Sequence, residues 1–139
     1  VVKSKAAEQD IIIMTAAVAD FCPSHPADEK IKKNDSSYES VIELERTEDI
    51  LSYLGAHKAK GQLICGFSME TQNMLENSKA KLAKKNADMI VANNLKVAGA
   101  GFGTDTNVVT LITADDCTEL EIMDKSCVAA RIMDRLLKM

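Results

Sequence analysis

Apolar and polar positions along this chain switch between two periods, and the switches mark its elements. Residues 1–8 (VVKSKAAE) read as the end of an amphipathic helix, and Asp10 then precedes the unbroken apolar run IIIM at 11–14. A short apolar run between polar flanks predicts a strand buried on both faces, as in a parallel sheet. Small residues follow, Thr15 to Ala19, and small residues at the carboxyl end of a buried strand allow a ligand or another backbone to approach closely. Residues 22–37 have loop composition, with Pro23, Pro26, Asn34, Asp35, Ser36 and Ser37. Val41, Ile42 and Leu44, interleaved with Glu43 and Glu45, predict a short strand; Thr47 then caps a helix running to about Lys58, with Glu48 and Asp49 in its first turn.

The second half repeats the alternation. LICGF at 63–67 predicts a strand ending near Gly66, and Met74, Leu75, Ser78 and Leu82 predict a helix over residues 71–86. DMIVANN at 88–94 predicts a third buried strand, and residues 96–107 form a Gly-rich loop. VVTLIT (108–113) and ELEIM (119–123) predict an antiparallel hairpin turning at 114–118. A last helix, capped by Asp124 or Ser126, carries Val128, Ile132 and Leu136 on one stripe. Strands alternating with helices predict an α/β domain: an open, mostly parallel Rossmann-like sheet flanked by helices, with a C-terminal antiparallel hairpin. The crossover rule brings Ala16–Asp20, Gly66–Phe67 and Asn93–Asn94 to one edge.

Composition narrows the picture. The 139 residues are 46% apolar with a net charge of −4, which fits one domain with its own core and disfavours a general nucleic-acid coat. Tryptophan is absent and aromatics are few, so the core is aliphatic with Met and Cys. Cys22, Cys65, Cys117 and Cys127 show no zinc spacing and fit a reducing, cytoplasmic setting. No apolar run reaches the ~18 residues of a membrane span. The chain opens at Val1 inside what reads as a helix tail, which predicts a fragment of a longer protein.

Candidate chemistry gathers at the strand ends. Asp20 reads as a turn former or as a carboxylate facing a ligand. Lys30, Lys32 and Lys33 read as a solvated charge run or as a flap over an anionic ligand. Lys81 and Lys85 share a helix face, either solvated or holding phosphates. Glu70 reads as a helix-start acid or a ligand contact. GAGFG at 99–103 lacks a strand-to-helix context and reads as a plain connection.

AAVADF (16–21), KIKK (30–33), GFSMET (66–71), Lys81, Lys85, IVANN (90–94) and FGTDTN (102–107) occur in an order that resembles phosphopantothenoylcysteine synthetase. This is the phosphopantothenate–cysteine ligase half of the bacterial bifunctional coenzyme A biosynthesis flavoprotein. The resemblance runs from about Asp10 to the C-terminus. It implies that 4′-phosphopantothenate is activated by CTP to an acyl-cytidylate, that cysteine then displaces CMP, and that Mg2+ offsets the triphosphate charge. FMN is implied only for a decarboxylase domain fused upstream. Met14, Thr15, Ala16, Asp20, Lys30, Glu48, Asp49, Ile50, Leu51, Phe67, Lys81 and Lys85 would bear on the nucleotide. Ala17 and Asn93 would bear on the substrate, and Lys30 would be the flap lysine of the second half-reaction.

The chain departs from the family pattern at Glu48, where Pro is usual, at Ser68 and Met69, where alanines are common, and at Asn94, where Asp is usual. The last leaves the metal ligands unassigned. The resemblance further implies a cytoplasmic homodimer paired through the hairpin region. It places a Gly-rich turn and an Asn near Ser-Ser-Gly upstream of these residues, so residues 1–139 alone are expected to be inactive as a ligase. A nucleotide-binding module without ligase activity shares every strand-end feature. An NAD(P)-dependent oxidoreductase lacks support, because no glycine fingerprint follows the first strand. CTP and ATP are not separable by spacing or charge.

Overall fold

The computed structural model describes residues 1–30, 41–70, 73–94, 97, 100–101 and 103–139, which fall into two compact units. One comprises Val1–Thr15 and Ile50–Met139, and the other Ala16–Asp49. In chain order the elements are α1 (Val2–Lys5), a 3-10 turn (Ala6–Glu8), β1 (Ile11–Met14), β2 (Phe21–Pro23), β3 (Leu44–Arg46), α2 (Ile50–Ala56), β4 (Leu63–Glu70), α3 (Met74–Lys84), β5 (Met89–Asn94), β6 (Thr106–Asn107), β7 (Val109–Ile112), β8 (Cys117–Glu119), β9 (Met123–Asp124) and α4 (Lys125–Leu136).

The first unit is a mixed five-stranded sheet in the order β1-β4-β5-β7-β8, parallel from β1 to β5 and antiparallel beyond it. The expected mostly parallel sheet with a C-terminal hairpin is therefore present. Period-two alternation divides its side chains between two faces. On one face Cys65, Met89, Val91, Val109 and Leu111 pack with Val128, Ile132 and Leu136, the predicted stripe of α4. Burying each of those three helix side chains is worth about 1.5–3 kcal/mol. On the other face lie Ile64, Gly66, Ser68 and Ile90. A side chain at Gly66 would put its Cβ 2.7 Å from Leu51 Cδ2 and 3.1 Å from Ile90 Cδ1, so the absent side chain lets α2 lie against β4.

Polar groups lock the layers in register. Ser68 and Ser78, both buried, join β4 to α3 through a hydroxyl–hydroxyl bond of 2.7 Å. The Asp88 carboxylate accepts from Lys58 Nζ at 2.9 Å and from the Ile64 N–H at 2.7 Å, tying together the starts of β4 and β5. Gln62 donates to the carbonyls of Ala6 and Gln9 at 2.7 and 2.6 Å, fastening the N-terminal turn to the approach of β4. At Gly55 a Cβ would stand 1.8 Å from the Lys85 carbonyl oxygen, so α2 and the end of α3 meet backbone to backbone.

Several boundaries differ from the expected ones. β4 continues past Gly66 to Glu70 because Phe67 to Glu70 pair in register with Val91 to Asn94. The helix expected from Thr47 begins at Ile50, with no acid in its first turn. Thr47 is occupied elsewhere: its hydroxyl donates to the Ala19 carbonyl and its N–H to the Asp20 carbonyl. α3 is shorter than residues 71–86, and Thr71 lies outside the described residues. The hairpin turns earlier than expected. Thr113 and Asp116 close it with bonds of 2.9 and 3.1 Å, the strand returns at Cys117, and residues 123–124 pair with β6 instead. Asp124 stands at the N-cap of α4 without a side-chain capping bond.

The second unit is a two-stranded antiparallel sheet of β2 and β3. β2 overlaps the start of the stretch expected to be loop, residues 22–37. The predicted strand near 41–45 is present as β3, shifted to Leu44–Arg46.

Candidate functional site

In the sheet unit the site is built from the carboxyl ends of the parallel strands. Met14 closes β1 beside Gly66, and Thr15 follows it, exposed. Lys81 points from α3 to the strand, its Nζ donating to the Phe67 carbonyl at 2.8 Å. Lys85, one turn on, donates to Ser52 Oγ at 3.0 Å, in the first turn of α2. The two lysines thus share a helix face, as their spacing predicts, but are held on different elements. Ile50 and Leu51 are half-buried, with Leu51 over Gly66. The Phe67 side chain lies on the α4 face, packed against the core cluster, so its backbone carbonyl is the part that meets Lys81.

Asn93 stands one strand further along, opposite Met69. Its Oδ1 accepts from Asn107 Nδ2 at 2.9 Å, while Asn107 Oδ1 accepts from the Val108 N–H at 3.0 Å. Asn94 also continues the ladder, its N–H donating to the Val108 carbonyl at 3.1 Å.

The second unit carries the remaining candidates. Ala16, Ala17, Asp20, Lys30, Glu48 and Asp49 are all exposed there. A bond from the Val18 N–H to the Ala16 carbonyl, 3.1 Å, shapes the small-residue run. Lys32 and Lys33 of the charged loop, and Gly99 and Phe102 of the Gly-rich one, lie outside the described residues.

The sequence reading missed Ser52, Asp88 and Asn107. Asp88 carried the best signal, an acid immediately before a buried apolar run. Among ionisable groups near the core, Cys65 stands out: burial, helped by the nearby Asp88 charge, pushes its thiol up to about 12, so it stays protonated. It serves packing and not nucleophilic chemistry.

Residues 1–139 match the family described as DNA/pantothenate metabolism flavoprotein C-terminal domain. The chain belongs to this family. It is 48% identical over 128 residues to the coenzyme A biosynthesis bifunctional protein CoaBC of Bacillus subtilis (strain 168), covering 91% of this chain and 31% of that protein. It is 47% identical over 131 residues to a cysteine/cysteine sulfinic acid decarboxylase from an unknown prokaryotic organism, covering 94% of this chain and 36% of that protein. The chain thus spans about a third of the curated relatives it matches. A crystal structure of the C-terminal domain of CoaBC superposes with a TM-score of 0.76 at 41% identity, over 99% of this chain and 60% of the other. A mutant of Cab2 in complex with phosphopantothenate-cysteine shares the fold, with a TM-score of 0.65 at 19% identity, over 99% of this chain and 48% of that one.

The resemblance read in AAVADF, KIKK and GFSMET thus falls in the right family, and this chain corresponds to its C-terminal part. No helix among the described residues is long and apolar enough to cross a membrane.

Proposed function

We propose that this chain is the phosphopantothenate–cysteine ligase domain of a coenzyme A biosynthesis protein, using CTP. The observation that carries the reading is the family match over the whole chain, with its high identity to CoaBC. The geometry supports it: Lys81 and Lys85 bring two cations to the middle of β4 and to the start of α2. Relatives named for decarboxylation are about two-thirds composed of sequence that this chain does not cover, and no decarboxylation is proposed for it.

In the first half-reaction a carboxylate oxygen of 4′-phosphopantothenate attacks the α-phosphorus of CTP. A P–O bond forms, the bond to the β-phosphate bridging oxygen breaks, and pyrophosphate leaves. In the second, the cysteine amine attacks the acyl carbon of the acyl-cytidylate, CMP departs, and the amine loses a proton. Met14, Thr15, Ala16, Asp20, Glu48, Asp49, Ile50, Leu51 and Phe67 bound the nucleotide in this reading, and Ala17 and Asn93 bear on the acyl substrate. Lys81 and Lys85 would donate to phosphate oxygens, which bind an ammonium more strongly than neutral acceptors do. Lys30 offsets the negative charge that develops as CMP leaves.

Mg2+ would lower the charge of the triphosphate. Among the described residues no three His, Cys, Asp or Glu side chains come together. FMN belongs in this reading to a decarboxylase domain. Cytoplasmic location and pairing of two copies complete the proposal, and sedimentation at micromolar concentration reads the pairing.

The test uses the complete protein with CTP, 4′-phosphopantothenate and cysteine, and with ATP replacing CTP. Lys30→Gln is expected to slow product formation at least about 100-fold, accumulate acyl-cytidylate and keep CTP binding. Wild-type turnover by that variant removes Lys30 from the second step. CTP binding without product in the wild type favours a nucleotide-binding module instead.

A further inference from the structure

The FGTDTN motif contributes Asn107, a residue to which the site described above gives no role. Its carboxamide orientation follows from chemistry alone. The Val108 N–H can only donate, so the Asn107 atom 3.0 Å from it is the carbonyl oxygen. The other end, Nδ2, then faces Asn93 at 2.9 Å and must meet its oxygen. Asn93 is thereby turned so that Nδ2 is the group it has left to offer, at the half-buried carboxyl end of β5.

Asn107 is itself well braced. Thr104 Oγ1 donates to the Thr106 carbonyl at 3.0 Å, the Lys125 N–H to the Asp105 carbonyl at 2.9 Å, and Lys125 Nζ to the Thr104 carbonyl at 2.5 Å. The start of α4 thus holds the motif, the motif holds Asn107, and Asn107 holds Asn93.

We propose that Asn107 is a positioning residue that sets the polarity of the site at Asn93, fixing it as a hydrogen-bond donor toward an acceptor oxygen of a phosphate or carboxyl group on the bound ligand. The ligase reading supplies the identity of that ligand, whereas the amide geometry stands without it. An amide free to turn over presents its oxygen about as readily as its nitrogen, and an oxygen would repel the same ligand group. The bond from Asn107 removes that alternative before the ligand arrives, which is preorganisation of a polar contact.

Asn107→Asp tests the idea in the complete protein. The carboxylate still accepts from Val108 but offers Asn93 a second oxygen, so Asn93 must turn Nδ2 inward and expose Oδ1. The KM for CTP or for 4′-phosphopantothenate is expected to rise about tenfold or more, and which one rises identifies the oxygen that is read. In an Asn93→Ala background the same substitution is expected to add nothing. Asn93→Asp makes the same inversion while keeping both bonds of Asn107, and is the second variant if Asn107→Asp fails to fold.

Unchanged KM values in Asn93→Asp, or a further loss on adding Asn107→Asp to Asn93→Ala, overturn the inference. If the wild type forms no product, the ligase reading falls, and the same comparison is read in dissociation constants for CTP and 4′-phosphopantothenate by calorimetry. If Asn93→Ala binds and turns over both as the wild type does, the inference falls and the ligase reading stands.

Discussion

The sheet unit and the stretch Ala16–Asp49 contain similar apolar residues but place them differently. Ile64, Ile90 and Val91 are wholly buried, whereas Val41 is 83% exposed, Ile42 71% and Leu44 59%. No described residue from 16 to 49 is buried. The sheet unit takes its shape from packing on two faces. The other takes its shape from the β2–β3 ladder, a bond of 3.0 Å from the Ser24 N–H to the Glu43 carbonyl, and the two bonds made by Thr47. A two-stranded pair is marginal by itself. The difference separates two kinds of candidate residue. Lys81, Lys85 and Asn93 are tethered to a packed scaffold by named bonds. Asp20 and Lys30 are exposed, in a unit where no described residue is buried.

The contrast is tested most severely at Gly55. A methyl there collides with a backbone carbonyl that cannot rotate away, so Gly55→Ala is expected to cost at least about 3 kcal/mol of unfolding free energy. Urea unfolding of the purified variant measures this, and a loss below about 1 kcal/mol refutes the backbone contact. A smaller effect is expected from Cys65 between pH 8 and pH 10. Its folded-state thiol titrates near 12 and an unfolded one near 9. Between these values the unfolded chain binds fewer protons, so stability is fully present below about pH 9 and falls by up to ~1.4 kcal/mol per unit as pH rises toward 12. Unfolding at pH 8 and pH 10 in wild type and Cys65→Ala separates this from other titrations, because the variant loses only that share of the slope. The least effect belongs to the other unit. Ile42→Ser is expected to change unfolding free energy by no more than about 0.5 kcal/mol. A larger loss in the same urea titration means that residues 16–49 are packed after all.

How much of this was legible in the sequence differs between the same two regions. MIVANN and the Val128–Ile132–Leu136 stripe announced their elements, because burial on both faces leaves a continuous apolar run and burial of one helix face a periodic stripe; IIIM announced its strand too, but β1 is half-buried throughout instead of buried on both faces. β4 outran its apolar run, since Ser68 is polar yet buried, its hydroxyl answered by Ser78, which no local pattern encodes. β2 was hidden by Pro23, tolerable in a two-stranded pair and misleading as a loop marker. Thr47 looked like a helix cap and is committed to Ala19, a partner 28 positions away. Among candidate site residues, Lys81 and Lys85 were legible by spacing. Ser52 and Asn107 were not, because their parts depend on which side chain the fold brings opposite them.

The Ser68–Ser78 bond also bears on how this sequence can drift. Either serine changed alone to alanine strands a buried hydroxyl, at about 1–3 kcal/mol, whereas changing both removes donor and acceptor together and can be nearly neutral. Two positions ten residues apart, on different elements, are therefore inherited as a couple. Where a descendant carries alanine at one, the expectation is a small apolar residue at the other, and an intermediate with only one of the two changes is the step that selection removes.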